Sequence, residues 1–192
     1  MISRQKPSDA QVDAFLSRAR SHGFSYPEVG ATCAEIPAGY TIDHNRVVLG
    51  RGSATFHAAS IALQRWQMFD LLWVKAFPDS DRIEKGTTVA VLISHLGFWS
   101  LNASRIVYVI EDSRRFGFAY GTLADHAEKG EERFQIEWLE DDTVAYDILA
   151  FSKPAVWWSK VGRPFARVLQ KRFAGDSMSI MRAISRRSRD NI

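Results

Sequence analysis

The sequence RIVYVI (105–110) is followed by RFGFAYGTL (115–123) and, beyond His126, by GEERF (130–134). Each run is rich in β-branched and aromatic residues, and only a short polar segment separates it from the next, which is typical of neighbouring antiparallel strands. Ionisable and hydrogen-bonding side chains on consecutive strands are uncommon unless they converge on a ligand or on one another. These runs therefore predict the middle of an antiparallel sheet and one wall of a site.

The strand-like pattern continues on both sides of these runs. Turn signals such as EDSR (111–114) and EDD (140–142) divide the chain into a first strand at 40–49 and six later runs at 71–77, 88–95, 105–110, 116–123, 132–139 and 143–151. From 133 to 138, apolar residues alternate strictly with charged or amide residues, so one sheet face is buried and the other meets water. The short links between runs predict a meander.

Helical spacing is found in three places. Residues 8–23 form a short amphipathic pattern, residues 53–68 form a second one, and a final helical region follows Pro154, with its longer helix running from Pro164 to about Arg186. The apolar stripe of that last helix needs a partner, and the concave face of the meander is the only large apolar surface left.

This order predicts an α+β helix-grip fold, in which a curved antiparallel sheet of about seven strands wraps around a long C-terminal helix, with an extra N-terminal helix. Residues 1–23 are expected to be an N-terminal helical extension, 24–187 a single helix-grip domain and 188–192 a frayed tail. A curved sheet cannot close on a helix along its whole length, so a cavity between the two is expected.

Composition limits the cellular compartment in which we expect the protein. The chain has 192 residues, 46% of them hydrophobic, with a net charge of +3 and one cysteine, so an intramolecular disulfide is excluded. The first twenty residues lack the apolar core of a secretory signal, and residues 86–104 are too polar for a membrane span. We therefore expect a cytoplasmic protein without a membrane span.

Seven ordered motifs resemble a known family: DHNRVVLG (43–50), LQRWQMF (63–69), RIVYV (105–109), GFAYGTL (117–123), His126, GEERF (130–134) and FSKPA (151–155). The chain resembles the bacterial and plant family catalogued as domain of unknown function nineteen-ninety over roughly residues 24–185. That family looks like a distant member of the superfamily of START domains, polyketide cyclases and the birch-pollen allergen. The resemblance implies a helix-grip fold and a small apolar-ligand cavity, and no established activity.

The candidate ligand-binding residues are those that strands or the last helix can direct into the expected cavity. Arg105 and Tyr108 are three apart and lie on opposite faces unless a bulge intervenes, so either Arg105 anchors an anion or it is a surface charge. Tyr120 offers a hydroxyl group for a ligand carbonyl, or is a core tyrosine bonded to the backbone. The full set is Tyr120, Arg105, His44, Tyr108, Tyr146, Trp158 and Phe165.

Candidate catalytic groups are His44, His126 and Tyr120. His126 lies among carboxylates in a loop, which permits proton transfer, although a loop-fixing bond to Glu131 or Glu132 is the simpler interpretation. His44 is adjacent to Asp43, yet successive strand residues face oppositely, so a direct dyad is geometrically poor. Histidine and cysteine spacing shows no metal-binding pattern, and no cofactor motif is present, so neither a metal nor a cofactor is expected.

Three functional hypotheses follow. The first is a binding protein for a small, largely apolar ligand whose polar end is anionic or a carbonyl, and the second is a cyclase- or dehydratase-type enzyme that uses the same cavity. The third is an interaction protein that acts through its basic C-terminal helix, since eight basic residues accompany two acidic ones between residues 163 and 192. That helix lacks basic–aromatic interleaving, so no nucleic-acid partner is expected. The ligand, any turnover and the oligomeric state stay open.

Overall fold

The computed structural model describes residues 1–124, 126–155 and 163–190, and side chains are described in the last helix only from 166 to 187. Two single-turn 3₁₀ segments, Ala31–Cys33 and Gln67–Phe69, accompany the strands and α-helices. In chain order the strands and α-helices of the described residues are β1 (Ile2–Ser3), α1 (Asp9–Ala19), β2 (Thr41–Arg51), α2 (Gly52–Gln64), β3 (Val74–Pro78), β4 (Thr88–His95), β5 (Phe98–Glu111), β6 (Arg115–Thr122), β7 (Glu128–Trp138), β8 (Thr143–Pro154) and α3 (Arg163–Asp190).

The strands form one antiparallel sheet in the order β2-β8-β7-β6-β5-β4-β3, and the short β1 pairs with β5. Strands β3 to β8 follow one another as a meander because short turns connect them, and β2 closes the path by pairing with β8. The predicted α+β helix-grip fold is confirmed, with seven strands in the continuous path and α1 as the extra N-terminal helix.

The concave face of the sheet carries the main core. Alternate residues of β6 and β7, including Phe118, Phe134 and Ile136, pack there with α2 and with Met181 of α3, and all four side chains are fully buried. Burial of each such side chain contributes about 1.5–3 kcal/mol, so this face stabilises the fold and holds α3 in place. No helix in the described part of the chain combines the length and the apolar character needed to cross a bilayer.

The convex face is covered by α1 and by the connection between α1 and β2. The helix begins with a capping box formed by Ser8 and Gln11, and its apolar stripe packs on β4 and β5. The connection is held by the buried carboxylate of Glu131, which accepts from the Tyr26 hydroxyl at 2.6 Å and from the backbone N–H of Gly30 at 2.7 Å. It also accepts from the backbone N–H and the hydroxyl group of Thr32.

Several element boundaries differ from expectation, including those of β5 and α3. The connection before the predicted strand 105–110 is a tight turn at Leu96 and Gly97, both with positive φ, and β5 already begins at Phe98. Helix α3 extends to Asp190, so the first residues of the predicted tail are helical, while residues 191–192 lie outside the described residues. The division into an extension, a domain and a tail stays a prediction.

Candidate functional site

A cavity of about 700 Å³ lies between the concave face of the sheet and the N-terminal half of α3. Much of its wall is apolar or aromatic, with contributions from the strands, from the 3₁₀ turn after α2 and from α3: Phe69, Trp73, Val91, Ile148, Leu169 and Phe173. Such a volume lies within the usual range for small-molecule sites. The expected cavity is therefore present in the fold.

A tyrosine and a carboxyl group meet on the sheet wall of this cavity. Tyr120 of β6 and Glu132 of β7 are direct cross-strand partners, so their side chains project from the same face. The Tyr120 hydroxyl donates to Oε2 of Glu132 at 2.8 Å, and both residues line the cavity. The pair is a polar spot on a largely apolar wall.

Burial controls the ionisation of this pair. Desolvation raises the pKa of Glu132 to about 7; the hydrogen bond from Tyr120 opposes that rise, while the nearby charge of Asp43 adds to it. The pKa of Tyr120 is raised well above its usual value; desolvation is the largest cause, and the negative charge of Glu132 is the next. Near neutral pH, Glu132 thus occurs in both protonation states while Tyr120 keeps its proton.

A second polar group joins the sheet to α3. Arg167 binds the carboxylate of Asp43 in β2 through both of its terminal nitrogens, one of them at 2.6 Å from Oδ1. Gln170 accepts from Arg167 at 3.0 Å and donates to Ser152 at 3.3 Å. Asp43, Ser152 and Gln170 line the cavity, so this network forms part of its wall.

His126 also lines the cavity, in the loop between β6 and β7. Its Nδ1 accepts the backbone N–H of Glu128 at 3.0 Å, so the loop-fixing bond goes to Glu128 and not to Glu131 or Glu132. Burial lowers the pKa of His126 to about 4, which makes the ring neutral at physiological pH. The neighbouring Asp125 lies outside the described residues.

The structure places Arg105 and Tyr108 on the convex face, away from the cavity. The pairing register of β5 with β6 shifts at a bulge between Ile106 and Tyr108. Because of this bulge, Arg105 lies opposite Gly121 and Tyr108 lies opposite Ala119, so both side chains point to the same face. The Arg105 guanidinium donates to the carbonyls of Ala19 and Arg20 at the end of α1. The suggested anion anchor is therefore corrected to a cap on the C-terminus of α1, which its positive charge complements.

The Tyr108 hydroxyl bonds to the Thr32 hydroxyl at 2.7 Å beside Glu131, and burial raises the pKa of Tyr108 to about 12. This contact fixes the connection that covers the convex face. The expectation that Tyr108 contacts a ligand in the cavity is corrected accordingly.

His44 and Tyr146 also make contacts outside the cavity wall. His44 points outward from β2 and bonds through Nε2 to Asp147 at 2.7 Å, in a convex-face network that includes Arg133. Tyr146 is fully buried against α3, where its hydroxyl lies 3.0 Å from that of Ser177. Trp158 and the side chain of Phe165 lie outside the described residues, so their proposed contacts stay predictions.

Of the residues in this site, Tyr120 was predicted from the sequence, whereas Glu132 and the inward direction of Asp43 were not. Glu132 is two residues from Phe134 and four from Ile136, so its side chain points to the same face as these buried residues of its strand. This alternation is the sequence signal that locates Glu132. In the part of the chain that the structure describes, no cluster of three or more histidine, cysteine, aspartate or glutamate residues has metal-binding geometry.

Curated relatives match nearly the whole chain. A "UPF0548 protein" of Dictyostelium discoideum is 36% identical over 203 residues, covering 94% of this chain and 94% of the relative. Relatives of the same name from Deinococcus radiodurans and Arabidopsis thaliana are 33% and 34% identical, covering 91% and 92% of this chain and 93% of each relative.

Several solved structures share the fold at low sequence identity. A hypothetical protein of Helicobacter pylori superposes with a TM-score of 0.58 at 12% identity, covering 85% of this chain and 96% of that one. The Zhui aromatase/cyclase of Streptomyces sp. R1128 gives 0.57 at 11% identity, covering 77% and 94%, and the norcoclaurine synthase of Thalictrum flavum gives 0.54 at 11%, covering 82% and 99%. At this identity the likeness supports the helix-grip fold alone. Residues 25–180 match the family model described as "Domain of unknown function (DUF1990)", and the chain belongs to that family.

Proposed function

We propose that this protein binds a small, largely apolar molecule in the cavity between the sheet and α3, with the polar end of the molecule at Tyr120 and Glu132. The observation that carries the proposal is a cavity of about 700 Å³ whose largely apolar walls hold a tyrosine–carboxyl pair, the tyrosine buried and the glutamate half-buried. Ligand pockets generally combine such walls with a few convergent polar groups that set orientation and specificity.

The charges around the cavity favour a neutral polar end. An anionic group near Tyr120 would meet the carboxyl groups of Glu132 and Asp43, and like charges at low dielectric repel strongly. The nearby Arg167 already pairs with Asp43. A carbonyl oxygen, in contrast, is able to accept from the Tyr120 hydroxyl or from protonated Glu132. We therefore favour a ligand with a carbonyl end over one with an anionic end.

Filling the cavity should abolish ligand binding. Ala150 lies on its wall in β8, so the variant Ala150→Phe places a phenyl ring in the space that the ligand would occupy. We expect N-phenyl-1-naphthylamine, a neutral apolar fluorophore, to bind the unmodified protein and to bind the variant at least tenfold more weakly. Native mass spectrometry of protein purified from its own host should show a retained small molecule that the variant lacks.

The matched control is Leu149→Phe, which adds the same ring one residue away on the opposite face of the same strand. Its affinity for the fluorophore should stay within twofold of the unmodified protein. Equal losses in both variants would point to general unfolding, which far-UV circular dichroism would reveal. If a folded Ala150→Phe variant binds the fluorophore as well as the unmodified protein does, ligand binding in this cavity is wrong.

The hypothesis of an interaction surface on α3 receives less support. Among the basic residues of α3 whose side chains are described, Arg167 pairs with Asp43, Arg172 lies over the Trp73 ring and Arg182 donates to the carbonyl of Val48. These three residues therefore already contact the rest of the protein, and a smaller basic surface is left for an external partner.

A further inference from the structure

We propose that Glu132 and Tyr120 form an acid–base pair that enolises a carbonyl compound bound in the cavity, with Glu132 moving the proton and Tyr120 donating a hydrogen bond to the carbonyl oxygen. This inference rests on the proposed binding function and adds a reaction to it. The substrate class is an apolar molecule with an exchangeable C–H next to a carbonyl group.

The geometry leaves one carboxyl oxygen available for a ligand. Tyr120 occupies Oε2 of Glu132 at 2.8 Å, and no group in the described part of the chain donates to Oε1. Glu132 itself lines the cavity, as does the apolar residue Phe173 of α3. The carboxyl group thus presents a free oxygen to the space in which an apolar ligand would lie.

The proton transfer balances within the substrate and the pair. Oε1 of ionised Glu132 takes the proton from the carbon next to the carbonyl group, and the electrons of that C–H bond become the C=C bond of the enolate. The carbonyl π electrons move to the oxygen. Because protonated Glu132 is a weaker acceptor, the Tyr120 hydroxyl is released to donate to the new oxyanion. The acid proton of Glu132 then exchanges with solvent, and transfer of a solvent-derived proton (a deuteron in D₂O) from Glu132 back to the carbon restores the ketone without an oxidant or a co-reactant.

The surroundings of Glu132 suit a base that works at neutral pH. The titratable groups that act on it are Tyr120 of β6 and Asp43 of β2, and Asp43 is paired with Arg167 of α3; Glu132 in turn raises the pKa of Tyr146 of β8. Burial brings the pKa of Glu132 to about 7, where a general base combines a large ionised fraction with strong proton affinity. His44 cannot take this role because its side chain lies on the convex face, bonded to Asp147.

The test is hydrogen–deuterium exchange at the carbon next to the carbonyl in 1-indanone, 1-tetralone and 2-tetralone, followed by proton NMR in D₂O with buffer exchange subtracted. We expect the protein to accelerate exchange in those probes that bind. Glu132→Gln should reduce the acceleration at least a hundredfold, since general bases typically contribute about 10²–10⁴-fold. Tyr120→Phe should reduce it about tenfold or more, and the exchange rate should rise with pH through a midpoint near 7.

The control variant is Glu137→Gln, the same chemical change on the outer face of the same strand, where Glu137 pairs with Arg46. It should keep the full rate. Binding of N-phenyl-1-naphthylamine by Glu132→Gln shows that the cavity is intact, which separates lost chemistry from lost folding.

The two proposals fail in different ways. If neither the fluorophore nor any ketone binds, the binding function is wrong and the enolisation falls with it. If a ketone binds but exchange is no faster than in buffer, or is equally fast in Glu132→Gln, the acid–base pair alone is wrong.

Discussion

At Glu132 the sheet places a half-buried carboxyl group beside a cavity, and no basic residue in the described part of the chain pairs with it, so desolvation alters its proton affinity. Its pKa rises to about 7 in the folded protein and returns to its ordinary value, near 4.5, in the unfolded chain. The folded state therefore binds this proton more tightly than the unfolded state does. The resulting stabilisation is complete below about pH 4.5 and is lost as the pH rises through 7.

This linkage gives a measurable pH dependence. His126 has the opposite effect, because its lowered pKa makes the folded state lose stability as the pH falls from 6.5 towards 4. Comparison with Glu132→Gln isolates the Glu132 contribution, because the variant retains His126. Between pH 4.5 and 8, the unfolding free energy of the unmodified protein should fall relative to the variant by roughly 3 kcal/mol at most, measured by urea denaturation. A difference that does not change with pH would contradict the raised pKa.

The residues of the site differ in how far sequence could locate them. The alternation of side chains along β6 and β7 is sufficient to place both Tyr120 and Glu132 on the concave face, but only Tyr120 was among the predicted site residues. Arg105 could not be placed in this way, because the bulge after Ile106 has no glycine or proline to signal it. The raised pKa of Glu132 depends on α3 covering the sheet, which no local pattern contains.

At the scale of elements, the connection between α1 and β2 depends on one close approach to the sheet. Tyr26 lies against Gly121 of β6, and a Cβ atom built on that glycine would stand 2.1 Å from the Tyr26 hydroxyl oxygen. The same hydroxyl donates to Glu131. The glycine in GFAYGTL thus makes room for a tyrosine that holds the connection on the convex face.

The variant Gly121→Ala should therefore displace Tyr26 and destabilise the protein by about 1–3 kcal/mol, as overpacking of a buried site generally does. Hydrogen exchange should accelerate in residues 25–33, where Glu131 holds the backbone. Gly175→Ala is the matched control, because this exposed glycine of α3 has no neighbour within 4 Å of a built Cβ atom, and alanine is the better helix former. A neutral or stabilising Gly121→Ala would show that Tyr26 is not fixed by this contact.

Elements with a long periodic pattern were the most predictable. The strands β2, β4, β6, β7 and β8 and the helix α1 were expected close to their observed positions. The two-residue β1 has no period of its own and depends on pairing with β5. Periodicity also shows that α1 is amphipathic without showing which sheet face receives it, because both faces of β4 carry apolar residues.

At the scale of the whole molecule, separate contacts along α3 hold the helix over the sheet. Towards its C-terminal half, Asp176 accepts from the Trp73 indole at 2.9 Å and Ser177 bonds to Tyr146. Towards its N-terminus, the described contact with β2 is the pair of Arg167 and Asp43. The described cavity-lining residues of α3 run from Ala166 to Ala174, so the two sets of contacts are placed asymmetrically: the ion pair lies in the cavity wall, and the contacts of Asp176 and Ser177 lie beyond it.

This asymmetry predicts which part of α3 opens when the ion pair is removed. Asp43→Asn keeps the size of the side chain but removes the charge that Arg167 binds; the pair is about a quarter exposed on each side, at 25% and 23%, so its loss should cost about 1 kcal/mol. Hydrogen exchange in residues 166–172 should accelerate about fivefold, whereas residues 176–185, which include the fully buried Met181 and Ser185, should keep their protection.

Tyr146→Phe should produce the reverse pattern, because it removes the hydroxyl that Ser177 contacts. Equal acceleration along the whole helix in both variants would mean that α3 opens as one unit, and the cavity would then open only when the entire helix detaches.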